Sequence, residues 1–247
     1  GAIATANYNA RKFGVKSGIP IMLAKNKLKE QDAVFLPADF DYYSDMSSKG
    51  MEIIEKYADV FEYVGRDEAY LDVTKKTEMS FDNAEHLAQQ LKNEIRNSLK
   101  LTCSIGISPN KLLSKIASDF KKPDGLTTVK PEQVEQFLSP LKIREIPGIG
   151  KKTEDVFTQM DIHIIEELRK IDVFDLNKMF GRKTGGYIFN SAKGIDTEIV
   201  KERPPTIQFS KIVTLKKNSK ELEFLQGNVN ELCTQLNKLA INDNKMY

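Results

Sequence analysis

Two adjacent carboxylates, Asp67 and Glu68, stand at the head of the apolar run "AYLDVT". Side chains alternate across a strand, so Asp67, Ala69, Leu71 and Val73 share one face and Glu68, Tyr70 and Asp72 the other. That phase puts Asp67 on the apolar side, where a buried carboxylate must protonate, find a cation or escape at the strand end. Gly65 permits a sharp turn just before the pair, which would swing both carboxylates toward one point. Two readings follow: a solvated hairpin tip, or a divalent-metal site. Mg2+ takes oxygen ligands, keeps several waters and uses one or two carboxylates plus substrate phosphates.

Residues suited to phosphate occur elsewhere. In "ATANYNARKFGV", Tyr8 and Arg11 are three apart and share a face if the segment is helical. With Thr5 they offer two hydroxyls and a guanidinium fork to a triphosphate; an ordinary solvated first turn is the alternative. Lys121 and Lys122 precede a Pro-Asp-Gly turn, either as phosphate contacts or as lysines placed favourably at a helix C-terminus. "IREIPGIGKKTEDVF" (Ile143–Phe157) is more specific. Gly148 and Gly150 allow a tight turn, and the helix expected from Lys151 presents its N-terminal amides to a phosphate. Lys151 and Lys152 add charge there, as in a helix-hairpin-helix that grips nucleic-acid backbone without reading sequence. Residues 201–220 carry six Lys/Arg against one Glu, which suits a phosphate-tracking groove or a solvated strand face.

The elements that position these residues are legible from periodicity. A short strand opens the chain, followed by a helix-like stretch around Asn7–Phe13. A helix is expected over Asp41–Tyr57, with Met46, Ile53, Ile54 and Tyr57 as its apolar stripe. Residues 60–64 and 68–74 read as strands about a turn at Gly65–Asp67. Asp82 is the expected N-cap of the next helix, with Glu85 as its capping-box partner and Leu87, Leu91 and Ile95 on the buried face. Leu101–Ser108 alternates like a strand, a helix runs from Pro109 to Phe120, and "GLTTV" is another strand. Short helices then follow at Pro131–Leu138, Lys151–Met160, Ile164–Ile171 and Lys183–Ala192. "KERPPT" (Lys201–Thr206) reads as a linker, Phe209–Leu215 as a strand and Leu222–Leu239 as a helix.

Composition sets the outer bounds. The 247 residues, 40% hydrophobic and 29% charged, suit two or three modest globular domains, and a net charge of +2 says nothing by itself about a polyanionic partner. Cys103 and Cys233 give no disulfide framework or zinc spacing. No apolar run approaches membrane-spanning length and no signal peptide opens the chain, so a cytoplasmic setting is the default expectation. The chain begins and ends in mid-element, as a piece cut from something longer would.

Together, "ATANYNARKFGVKSGIP", "DEAYLDVT", "CSIGISPNKLLSKIASDFKKPDG", "IPGIGKKT" and "IVTLKKNS" resemble the Y-family (translesion) DNA polymerases, in the DNA polymerase IV branch and its archaeal relatives. The resemblance implies an α+β multidomain fold with a mixed-sheet palm, small fingers, an all-helical thumb with a helix-hairpin-helix, and a partial α/β little finger. The fingers would be residues 1–37, the palm 38–128, the thumb 129–200, the linker 201–209 and the start of the little finger 210–247. It implies that Asp67 and Glu68 are catalytic metal ligands, that Thr5, Tyr8, Arg11 and Lys122 bind the nucleotide, and that Gly148, Ile149, Gly150, Lys151, Lys216 and Lys217 bind DNA. It further implies two Mg2+ ions, with Mn2+ as a substitute, and low-fidelity nucleotidyl transfer on damaged templates. The partners would be primer-template DNA, deoxynucleoside triphosphates and a sliding clamp reached beyond Tyr247, with the protein a monomer and no membrane involved.

Two departures stand against the family pattern. Its members begin with a strand that bears a further catalytic Asp and an aromatic gate, and nothing before Gly1 supplies it. These 247 residues are therefore expected to be catalytically impaired, with a non-catalytic DNA-backbone-binding module as the alternative. Arg66 stands where an aliphatic residue is usual; its guanidinium would pair with a carboxylate in competition with metal, or point at DNA.

Overall fold

In the computed structural model, residues 1–202, 208–215 and 218–242 are described. The chain divides into two units, Gly1–Lys201 and Glu202–Tyr247. In the first, short helices α1 (Tyr8–Lys12) and α2 (Ile21–Lys27) close a small apolar cluster of Val15, Ala24 and Leu28. The strand expected at the chain start is reduced to a single bridge between Ala2 and Pro20.

Helix α3 (Phe40–Glu55) is capped by Asp39, whose side chain accepts from the Tyr42 amide. Its buried residues are Met51 and Ile53; Met51, absent from the expected stripe, precedes Ile54 by three residues and widens the buried face on that side. Strands β1 (Val60–Gly65) and β2 (Glu68–Asp72) form an antiparallel hairpin with a bulge between Tyr63 and Gly65. Helix α4 (Phe81–Leu99) has its cap two residues before the expected one: Ser80, not Asp82, accepts the Asn83 amide at 3.3 Å. Asp82 instead sits in the first turn, where its charge favours the helix N-terminus, and pairs with Lys130.

Strand β3 (Ile105–Ile107) is much shorter than the alternation over Leu101–Ser108 suggested. It pairs parallel with β4 (Leu126–Thr128) across helix α5 (Lys111–Phe120), the crossover that parallel neighbours require. Among the described residues the strands form two separate two-stranded sheets, β1–β2 antiparallel and β3–β4 parallel, where a single mixed sheet was expected. Lys92 of α4, almost fully buried, donates to the carbonyls of Cys103 (2.5 Å), Asp124 (2.9 Å) and Gly125 (3.3 Å) and to Asp124 Oδ1 (2.6 Å). Burial without these acceptors would expel its charge; with them, Lys92 pins α4 to the turn before β4.

From Val129 onward the chain is helical, as expected: α6 (Val134–Leu138), α7 (Lys151–Gln159), α8 (Ile165–Leu168) and α9 (Val173–Ala192). Helix α9 starts ten residues earlier than its pattern suggested, because Gly181 (φ 79°) kinks it and breaks the apolar period. Phe157, Leu138, Ile143, Ile146, Ile165, Leu168, Leu176 and Ile188 fill the core of this part. The same core takes in Leu112, Leu113 and Ile116 of α5. In the second unit, residues 208–215 form no strand. A strand needs a partner ladder, and helix α10 (Leu222–Asn242) is the one regular element among the described residues there.

Helix α5 packs on three sides at the 100° step of a helix. Leu112, Leu113 and Ile116 face the helical core. On a second side its backbone meets Gly106 of β3, where an added Cβ would lie 2.1 Å from the Ser114 carbonyl oxygen and 2.5 Å from the Ser118 nitrogen. The third side carries Lys111 and Lys115. Lys111, nearly buried, bonds both oxygens of Glu62 on β1 (2.8 and 3.0 Å), lies over the Tyr70 ring at 4.9 Å and reaches Glu198 at 3.5 Å. The segment after α9 is tied down beside it: the Leu112 amide donates to Asp196, Asn110 Nδ2 to the Gly194 carbonyl, and the Lys201 amide to Glu62. Burial raises the Glu62 pKa, but bonds from Lys111 and the Lys201 amide outweigh it and hold the carboxyl below its usual range.

Two outcomes test this packing. Gly106→Ala should destabilise the first unit by about 1–3 kcal/mol in chemical denaturation, since the neighbours are helix backbone that cannot yield. Lys111→Met should cost about 1–2 kcal/mol at pH 7, the range for a hydrogen bond to a charged group reduced for partial solvent access. Because the folded pKa of Glu62 is depressed, its contribution is present above the unfolded carboxyl pKa and is lost as pH falls through the folded one. The gap between Lys111→Met and wild type should therefore narrow from pH 7 toward acid.

Candidate active site

The β1–β2 hairpin delivers the carboxylate pair. Glu68 is the first residue of β2, paired with Gly65 across the bulge, and Asp67 lies in the turn with Arg66. The alternation rule put Asp67 on the apolar face, but β2 begins one residue later. Asp67 is exposed at the turn and has no burial penalty to offset. Leu71 keeps the expected inward direction, against Ile53, Leu91 and Ile95. The Arg66 guanidinium pairs with no carboxylate among the described residues; it lies 5.9 Å from the centre of the Phe40 ring, while the Arg66 carbonyl accepts from Ser47 Oγ at 2.5 Å.

Glu68 does have a cationic partner. The Lys115 ammonium, one turn beyond Lys111 on α5, bonds Glu68 Oε1 and also lies 3.3 Å from Asp119 Oδ2. The other oxygen of Asp119 is held by Lys122 at 2.5 Å. Burial works against the charge of Lys115, but Glu68 and Asp119 outweigh it and hold its pKa above the usual lysine value. Glu68 and Lys122, expected as metal and nucleotide ligands, are thereby linked through Lys115 and Asp119, which the sequence reading did not single out. Their spacing, 115, 119 and 122, was the available signal.

The donor chemistry at the turn fits a hard divalent cation. Both groups are carboxylates near solvent, and the ammonium at Glu68 marks a place where positive charge is already held. Among the described residues, no group of three or more His, Cys, Asp or Glu forms a complete cage. The residues present therefore supply two ligands and leave the rest of the coordination to water or substrate oxygens.

The other expected nucleotide contacts cluster around α1. Asn7 caps it, accepting the Ala10 amide at 2.9 Å. The Arg11 guanidinium stacks 4.8 Å from the centre of the Tyr8 ring while its Nε donates to the Ala6 carbonyl at 2.9 Å. Tyr8, Arg11 and Thr5 are all exposed. No hydrogen bond or ion pair among the described residues joins them to Asp67, Glu68 or Lys122.

At the glycine hairpin, Gly148 takes a left-handed φ of 84°, which a side chain would strain. Gly150 is the N-cap of α7, with no side-chain cap on the first turn and open space where a Cβ would stand. Ile149 turns its side chain into the helical core, so only its backbone faces outward. The Lys151 ammonium is held by Asp155 at 2.7 Å. Tyr187 of α9, not anticipated from sequence, donates to the Pro147 carbonyl at 2.6 Å and buttresses the turn. Lys216 and Lys217 lie outside the described residues.

Known proteins resemble this chain over most of its length. Residues 1–119 match the model of the impB/mucB/samB family, and residues 144–196 match that of the "DNA polymerase-iota, thumb domain". The chain is 65% identical to the DNA polymerase IV of Nitrosopumilus maritimus over its whole length, spanning 68% of that protein. It is 42% identical to the DNA polymerase IV of Methanosarcina acetivorans, with 91% of this chain and 63% of that protein covered. Among solved structures, a Y-family DNA polymerase chimera, Dbh-Dpo4(243-245)-Dbh, superposes with a TM-score of 0.85 at 33% identity, covering 96% of this chain and 68% of that one. An insertion ternary complex of Dbh DNA polymerase gives 0.78 at 33% identity, with coverage of 96% and 68%. The chain belongs to the Y-family DNA polymerases, in the DNA polymerase IV branch.

Proposed function

We propose that this chain carries the catalytic and DNA-gripping parts of a template-directed DNA polymerase of the low-fidelity, lesion-bypass type. The observation that carries the reading is the exposed Asp67–Glu68 pair at the hairpin turn, linked along α5 to Lys122. In this reading Asp67 and Glu68 hold divalent cations, two Mg2+ ions with Mn2+ as a substitute. When bound, such ions polarise phosphoryl oxygens and favour the alkoxide form of the primer 3′-hydroxyl.

The protein's own groups do the positioning. Arg11 and Lys122 neutralise the triphosphate, and the Thr5 and Tyr8 hydroxyls donate to it. The first-turn amides of α7, with Gly148, Ile149 and Gly150 presenting backbone, and Lys151 receive DNA phosphates. Lys216 and Lys217 belong to the same DNA-binding set. Residues 1–37 act as fingers, 38–128 as palm and 129–200 as thumb, with a linker at 201–209 and the little finger opening at 210–247. Primer-template DNA and deoxynucleoside triphosphates are the substrates. The protein works as a cytoplasmic monomer, with a sliding clamp as a further partner. Residues 1–247 alone extend primers weakly, a reading supported by the two-carboxylate donor set at the turn.

In the intact protein, Glu68→Ala should lower primer extension by about a hundredfold or more, with primer-template affinity within about twofold of wild type. Undiminished extension would remove Glu68 from the site. DNA binding by the wild-type protein without extension would instead favour a binding module. Gly150→Val should fold, since nothing lies within 4 Å of the added Cβ and the backbone φ is −86°. By filling the phosphate approach it should weaken duplex binding about tenfold and flatten its salt dependence, as loss of a phosphate contact does. Unchanged affinity would remove this hairpin from the DNA interface.

A further inference from the structure

The two lysines on the third side of α5 make unlike bonds. Glu62, largely buried, has Lys111 on both oxygens and the Lys201 amide on one of them. That carboxylate is saturated, and its role is to hold the fold. Glu68, met by Lys115 one helical turn beyond Lys111, has a side chain 45% exposed and is engaged through Oε1. The same spacing thus yields one locked pair and one pair open to exchange. Asp119 extends the second pair: Oδ2 serves Lys115 and Oδ1 serves Lys122, so one carboxylate is shared between two ammonium groups.

We propose that Lys115 is a resident counterion of Glu68 which a divalent cation must displace, and that the ladder Glu68–Lys115–Asp119–Lys122 transmits this displacement to Lys122. The proposal rests on the reading of Asp67 and Glu68 as metal ligands and of Lys122 as a triphosphate contact. An ammonium and a divalent cation compete for the same carboxylate oxygen, and each repels the other at such range. When the cation takes Glu68, the partner left to Lys115 is Asp119, already 3.3 Å away. As Lys115 closes on Asp119, that carboxylate is less available to Lys122, which is exposed and turns to an incoming polyanion. Before metal arrives, Lys122 is held back by Asp119 and Glu68 is kept charged and oriented by Lys115. Lys115 and Asp119 are positioning residues here, and metal loading primes the nucleotide contact.

The test combines Mn2+ binding, read by electron paramagnetic resonance, with the amine-labelling rate of each lysine by mass spectrometry, on the intact protein without nucleotide. Lys115→Met should tighten Mn2+ binding about three- to fivefold, the scale of a partly exposed ion pair, whereas Lys115→Arg should keep wild-type affinity. In wild type, Mn2+ should speed labelling of Lys122; in Asp119→Asn, Lys122 should label fast with or without Mn2+; in Lys115→Met, the Mn2+ effect on Lys122 should vanish. Mn2+ binding unchanged in Lys115→Met, or Lys122 labelling indifferent to bound Mn2+, overturns the proposal while leaving the metal site standing. Failure of wild type to bind Mn2+, or equal binding by Glu68→Gln, overturns the metal-site reading and the proposal with it.

Discussion

Helix α5 is the constraint on which the first unit depends. Its contact with β3 is backbone against backbone, possible only because residue 106 has no side chain. This close approach fixes the depth and rotation of the helix. The rotation in turn directs Leu113 and Ile116 into the helical core and Lys111 and Lys115 toward the hairpin. A helix held less tightly would let these faces drift, and with them the distance between the carboxylate turn and the end of α5. The site therefore inherits its geometry from a packing contact that has no chemistry of its own.

The two lysines show how identical side chains acquire different roles from their surroundings. Lys111 meets a buried carboxylate and a ring face, and the result is a closed tie that also anchors the chain leaving α9. Lys115 meets a half-exposed carboxylate at a turn, and the result is a pair that water, metal or substrate can reach. Burial decides between the two: a saturated ion pair is expensive to open, whereas a solvated one is held by little and exchanges readily.

Local chemistry was the legible part of this sequence. The hairpin about Gly65–Asp67, the caps and periods of the main helices, and the Pro-Gly-Ile-Gly turn could all be read because each depends on neighbours within a few residues. What escaped was set by distant contacts. Alternation places Asp67 on an apolar face because it cannot reveal where a ladder starts or where a bulge intervenes. Ser80 displaced Asp82 as a cap because both residue types serve, and the rest of the helix decides. Strand β3 is shorter than its alternation, since only three of its residues find a partner on β4. Lys115 and Tyr187 escape a sequence reading for the same reason, since Glu68 and Pro147 lie far away in sequence; the spacing of Asp119 from Lys115 and Lys122 is local, and only the contact of Lys115 with Glu68 gives it a meaning. Arg66, expected either to pair with a carboxylate or to point at DNA, has no carboxylate partner among the described residues and lies beside the Phe40 ring.

If Lys115 is a displaceable counterion of Glu68, a divalent cation takes its place on that carboxylate. Anomalous diffraction from crystals of the intact protein with primer-template, a non-hydrolysable deoxynucleotide and Mn2+ tests it most directly. The expected result is a Mn2+ peak bonded to Asp67 and Glu68, with the Lys115 ammonium withdrawn to Asp119 and Lys122 on the triphosphate. A Mn2+ peak away from these carboxylates, with the Glu68–Lys115 pair intact, would contradict it.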